Sequence, residues 1–199
     1  QEMKTFKDKE IHFAKFKTEI SSDERPGEYE GFCNKDGQPH GKGKLIEINN
    51  KNNWIREGEW IDGQLVKGTY HMPNIRKDVG SFIVGNDGDT VPHGDCVEYY
   101  YGWSKENYDK DKPIGYVKGF FDLGKLIKGE ILNPSLTGYS DHKGINKIIL
   151  EGKIRSIYDE TIKGKINLNK GEIFYENGDH YKGEIDFDLP FGKGTMTLK

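Results

Sequence analysis

Tyr175-Glu176-Asn177-Gly178-Asp179-His180-Tyr181-Lys182-Gly183-Glu184, closing with Leu189-Pro190-Phe191-Gly192-Lys193-Gly194-Thr195, is the stretch that decides the fold class. Aromatic and polar residues alternate within it, which places them on opposite faces of a strand. Asn177-Gly178 is a turn dipeptide, because glycine reaches positive φ without steric cost. Gly183 and Gly194 sit inside the strands themselves, where a glycine is a weak choice unless an aromatic crosses the backbone or the sheet bends sharply. The expected unit is a hairpin that leaves through a Lys-Gly or Gly-x-Gly step.

The same plan recurs upstream. Tyr29-Glu30-Gly31-Phe32 leads to Asp36-Gly37-Gln38-Pro39-His40-Gly41-Lys42-Gly43-Lys44. Arg56-Glu57-Gly58-Glu59-Trp60 leads through Asp62-Gly63 to Lys67-Gly68-Thr69-Tyr70. Tyr116-Val117-Lys118-Gly119 leads to Lys125-Leu126-Ile127-Lys128-Gly129-Glu130. Two diverged copies run from Gly80 to Asp95 and from Leu150 to Lys165. Self-similarity of this kind reads as a repeat array whose units cannot bury their faces alone. These motifs, above all Tyr-x-Gly followed by a turn and His-Gly-x-Gly, resemble the MORN repeat family, most closely over Tyr29 to Lys44, Arg56 to Tyr70 and Asn177 to Thr195. The resemblance covers roughly residues 27–199 in about six units.

Composition agrees with such an array. Only 33% of the 199 residues are hydrophobic and 32% are charged, yet 12% are aromatic and 26 glycines are spread along the chain. That balance suits a thin sheet with many tight turns better than a deep core. The fold expected is all-β: an elongated single-layer solenoid of stacked antiparallel β-hairpins. Residues 1–28 form an N-terminal capping segment, with a strand favoured over a helix, and residues 29–199 form the array. Polar insertions near 102–113 and 133–146 interrupt it.

Several function classes are disfavoured. Net charge is −3 with acids and bases mixed, so no concentrated basic field exists for nucleic acid. No apolar run approaches the roughly 20 residues that span a bilayer. His40 and His93 each stand between proline and glycine, where they read as hairpin-corner residues rather than metal ligands or catalytic groups, because ligation needs several converging donors. The Gly-Lys-Gly steps lack the spacing of a phosphate loop, and Asp87-Gly88-Asp89 and Asp109-Lys110-Asp111 lack the glycine of a calcium loop. No nucleophile stands on a recognisable motif. The expectation is therefore a non-enzyme without cofactor or metal.

Two surface readings remain. Tyr99-Tyr100-Tyr101-Gly102-Trp103 is denser in aromatics than alternation demands, so Tyr99, Tyr100, Tyr101 and Trp103 are candidate partner contacts. Lys42, Lys67, Lys128, Lys163 and Lys193 each neighbour a strand glycine; in register they would form a row that attracts acidic phospholipid, or one that keeps a sheet edge soluble. The resemblance implies a scaffold or adaptor subunit that binds other proteins in a larger assembly, cytoskeletal or ciliary in related arrays. Its rivals are a peripheral membrane module and an accessory repeat region of an enzyme whose catalytic domain is absent here. Two cysteines without paired spacing and the lack of an Asn-x-Ser/Thr sequon point to an intracellular site, cytoplasmic or associated with cytoskeleton or membrane.

Overall fold

The computed structural model describes residues 12–20, 25–48, 53–101, 112–137, 143–151, 169–186 and 189–199. Among them runs one antiparallel sheet of thirteen strands in strictly sequential order. The strands are β1 (His12–Ile20), β2 (Arg25–Cys33), β3 (Pro39–Glu47), β4 (Trp54–Ile61), β5 (Gln64–Met72), β6 (Arg76–Val84) and β7 (Thr90–Tyr100). They continue as β8 (Gly115–Asp122), β9 (Lys125–Leu132), β10 (Ile145–Leu150), β11 (Asn169–Tyr175), β12 (His180–Asp186) and β13 (Leu189–Thr197). A single turn of helix, α1 (Pro134–Thr137), follows β9.

One line of residues crosses the whole sheet. Cross-strand partners connect Ala14, Gly31, Gly43, Gly58, Gly68, Gly80, Cys96, Gly119, Gly129, Leu150, Gly171, Gly183 and Gly194, one from each strand. Several of these glycines leave the ordinary extended conformation: φ is 155° at Gly58, 146° at Gly68, 148° at Gly80 and 152° at Gly129.

The reason for glycine is visible on the packed face. A side chain at Gly43 would overlap the Tyr29 ring, and one at Gly194 would overlap Tyr181. With no side chain in the way, Tyr29 on β2 reaches over Gly43 on β3 to meet Trp60 on β4, ring centroids 5.7 Å apart and nearly perpendicular. Trp60 in turn donates its Nε1–H to the Gly43 carbonyl at 3.0 Å. Phe16 packs on Tyr29 from the other side at 5.4 Å. The Tyr29 hydroxyl donates to the Phe32 carbonyl and the Tyr181 hydroxyl to the Glu184 carbonyl, both three residues downstream. The two Tyr-x-Gly motifs are therefore the same local structure at opposite ends of the chain.

The packed face holds two apolar clusters. Tyr29, Leu45, Trp60, Leu65, Tyr70 and Phe82 anchor the first, within β2 to β6. Val117, Phe121, Leu126, Ile131, Ile148 and Ile173 anchor the second, within β8 to β11. The aliphatic row that would join them is interrupted across β4 to β7 by buried charge. Glu47 pairs with Arg56 at 2.7 Å, and Arg76 lies 2.9 Å from Asp78 and 3.1 Å from Glu98. Both Asp78 oxygens and the Arg76 Nε are fully buried without a well-formed hydrogen bond among the described residues, although they approach within 2.9 Å.

Turn chemistry explains the strand order. Asp62-Gly63 and Leu123-Gly124 are two-residue turns with positive φ at both positions, the geometry that matches strand twist. Register shifts accompany the hairpins β2–β3, β4–β5, β6–β7, β8–β9 and β12–β13, all on the turn side of the glycine line. Bulges of this kind bend a strand and raise its twist.

The capping segment, for which the sequence favours a strand over a helix, contributes β1, which pairs along its whole length with β2. Three details differ from the sequence reading. The first hairpin begins at Arg25, ahead of residue 29. Asn177-Gly178 turns at the opposite end of the sheet from Asp36-Gly37 and Asp62-Gly63, because it joins β11 to β12 rather than closing a bulged hairpin. Of the diverged fifth unit only Leu150 and Glu151 lie within the described residues; β11 takes the neighbouring place, with Gly171 opposite Leu150. The expected second strand through Lys163-Gly164 lies outside the described residues.

Candidate functional site

The face opposite the aromatics carries two rows that flank the glycine line. On one side stand Lys15, Glu30, Lys44, Glu57, Thr69, Val79, Val97, Lys118, Glu130, Ile149, Glu172, Lys182 and Thr195, each the partner of the next. On the other, Lys42 faces Glu59, which faces Lys67, which faces Ser81. Over β1 to β5 these side chains rise on either side of bare glycine backbone and enclose a groove of about 700 Å³. Its floor is Gly31, Gly43, Gly58 and Gly68, and Phe13 and Phe32 line one end. The two rings meet edge to face at 5.8 Å, and they are 62% and 42% exposed.

Charge in the groove is ordered. Lys15 pairs with Glu30 at 3.1 Å across β1 and β2. The same opposite-sign adjacency recurs at Lys44–Glu57, Lys42–Glu59 and Glu59–Lys67. Opposite charges directly across an antiparallel pair stabilise a sheet modestly. Further along, Lys147 reaches Glu130 at 2.7 Å and Lys182 reaches Glu172 at 2.9 Å. Hydrogen bonds from Lys147 and Tyr116 hold the Glu130 carboxyl below its usual range, and Lys182, with His180 in a lesser part, does the same for Glu172.

The lysines read from sequence fall as follows. Lys42, Lys67, Lys128 and Lys193 stand on β3, β5, β9 and β13 beside the glycine line. Glu59 separates Lys42 from Lys67, and Lys128 follows Phe120 and Asp95 across the sheet. Lys163 lies outside the described residues. The row alternates in sign over β3 to β5 and is broken by Ser81 and Phe120 further on, so it is not a strip of positive charge.

The tyrosine run divides. Tyr101 is buried on the sheet with His71 beside it at 6.5 Å, and its N–H bonds the Ile75 carbonyl. Tyr100 points to the packed face and donates to Glu98 at 3.2 Å; burial first, then Glu98, pushes its hydroxyl pKa up. Tyr99, half-buried, faces Tyr116 on the exposed face. Trp103 lies outside the described residues. Two of the candidate contacts are therefore committed to the fold, a role that sequence density alone could not separate from surface display.

His40 and His93 serve the hairpin corners, as the repeat reading expects. The His40 ring nitrogen lies 3.2 Å from the Asp62 carboxylate, while the Gly63 N–H bonds the Pro39 carbonyl at 2.9 Å. One pair of hairpins further along, His93 lies 3.6 Å from Asp122 and the Gly124 N–H bonds the Pro92 carbonyl at 2.8 Å. Each Pro-His-Gly thereby fastens its own unit to the turn of the next. Among the described residues no group of three His, Cys, Asp or Glu side chains converges as a metal site would require.

The described strands thus form an open array of β-hairpins with a groove on one face. The MORN repeat family model matches three stretches of the chain, residues 35–46, 57–74 and 181–199. No curated protein matches the chain. The glycine register carries the same architecture through the unmatched strands between these stretches, with Cys96 and Leu150 standing in for glycine. Repeats of this family are in general non-catalytic modules of protein–protein or membrane interaction.

Proposed function

We propose that the chain is a scaffold or adaptor that holds a segment of a partner protein along the exposed groove, within a larger assembly. The observation that carries this reading is the groove itself: side-chain walls of mixed charge on a continuous backbone floor, with two exposed phenylalanines at one end. Aromatic anchors beside mixed polar walls are the usual makings of a protein-recognition surface. Interleaved carboxylates speak against a flat acidic membrane as the ligand, since Glu57 and Glu59 would meet its negative charge. Cys33 and Cys96 are both free and buried, which supports an intracellular setting.

Affinity capture from the source cells, compared between the native protein and a Phe13→Ala, Phe32→Ala variant, tests the proposal. The expected result is a set of proteins retained by the first and lost by the second, with a Tyr99→Ala control unchanged. Identical capture by all three would sink it. So would groove-dependent sedimentation with acidic vesicles that collapses as salt rises, the behaviour of a lysine-mediated lipid contact.

A further inference from the structure

We infer that the groove is matched to a helix whose charges change sign every three to four residues; this rests on the groove being the partner site. The sign of the wall charge flips at every strand from β1 to β5. Glu30 marks β2, and Lys15, its partner on β1, continues the row just beyond the residues that line the groove. At β3 both walls are positive, with Lys42 and Lys44; at β4 both are negative, with Glu57 and Glu59. Lys67 marks β5. Strands in a sheet lie about 4.8 Å apart. A helix rises about 1.5 Å per residue, so each band corresponds to roughly 3.2 residues of helix. Positions three and four apart share a helix face, and one face can therefore answer every band. An extended segment cannot, because its same-face side chains recur at about 6.7 Å and fall out of step within two strands.

The complement is an acid at the β1 band, a base at β2, an acid between Lys42 and Lys44, a base between Glu57 and Glu59, and an acid at Lys67. Five bands span about 19 Å, close to the roughly 21 Å that five same-face helical positions from i to i+14 cover. Phe13 and Phe32 sit at the β1 and β2 bands on one wall, so the helix carries an apolar residue beside its first acid and base. The wall charges already neutralise one another in pairs, so a partner of uniform charge loses at each alternate band what it gains at its neighbour. A partner alternating in the same rhythm meets every band with the opposite sign.

Two stapled helical peptides of about 18 residues provide the probe. One carries Glu, Lys, Glu, Lys and Glu at i, i+3, i+7, i+10 and i+14 with a leucine beside the first; the second exchanges every Glu and Lys. Fluorescence anisotropy at low salt is expected to show the first binding about tenfold more tightly, several weak ion pairs adding up. The protein's net charge of −3 favours the second peptide non-specifically, so the expected preference runs against the background. A variant with Lys42→Glu, Lys44→Glu, Glu57→Lys and Glu59→Lys keeps net charge and the opposite-sign pairs between β3 and β4, sets like charges opposite Glu30 and Lys67, and is expected to lose the preference. Equal affinity for both peptides overturns the inference while leaving the groove as a protein site. Binding of neither peptide also overturns it, and phosphatidylserine vesicles retained by the native protein but not the variant would then assign the groove to lipid.

Discussion

Gly43 has the Tyr29 ring lying where its own side chain would be, and that single absence lets β2 and β4 touch across β3. Gly63 is glycine for a different reason: it has open space around it and a φ of 86°. The two positions should respond differently to alanine. Gly43→Ala forces the buried ring off its site and is expected to cost about 2–3 kcal/mol, the range of overpacked cores. Gly63→Ala meets no clash and is expected to cost about 1 kcal/mol for the left-handed backbone alone. Urea denaturation of the two variants measures the difference; equal losses would contradict the account of the glycine line. Burial raises the Tyr29 pKa well above the ordinary phenol value, in keeping with a ring enclosed on this face.

Among the elements, β6 and β7 carry the cluster that departs most from an apolar core. Burial, opposed by Arg76 and reinforced by Glu98, pushes the Asp78 pKa up to about 7. Burial works against the Arg76 charge, yet Asp78, Glu98 and Tyr100 together hold its pKa above the ordinary value. The unfolded Asp titrates near 3.9, so between about pH 4 and 7 the folded state binds more protons than the unfolded one. Stability from Asp78 is complete below the unfolded value and is lost as pH rises through the folded one, at up to about 1.4 kcal/mol per unit. Burial lowers the His71 pKa and gives the opposite slope over part of this window, so the informative quantity is the difference from Asp78→Asn. Native stability is expected to fall relative to that variant between pH 5 and 7 in thermal melts, and parallel curves would contradict this.

The hairpins themselves were legible because turn glycines and aromatic alternation are local signals. The cluster was not, since Arg56, Asp78 and Glu98 look like ordinary exposed strand residues until the register places them in one packed row. The bulge beside each turn has the same effect: it moves the lysine row into step with Glu59 and Asp95, which spacing within single units does not show.

At the scale of the molecule, sequential strand order means that each hairpin leans mainly on its neighbours and the array presents two unlike faces. One is closed by rings, aliphatics and a buried charge cluster; the other offers charged rows over a glycine floor. Sequence showed the repeat and both candidate surfaces, but assigned display to Tyr100 and Tyr101, which the fold uses for its own packing. Conversely, Phe13 and Phe32 give no signal in the chain, because an exposed pair of rings arises only when β1 pairs with β2.

Because the floor is glycine, ¹⁵N-glycine labelling reads the proposed surface directly. On addition of the in-phase helical peptide, the amide resonances of Gly31, Gly43, Gly58 and Gly68 are expected to shift together, while the turn glycines Gly88, Gly144 and Gly178 stay fixed. Shifts confined to the turns, or a floor that does not respond while the peptide binds, would contradict the claim that this groove is where the protein meets its partner.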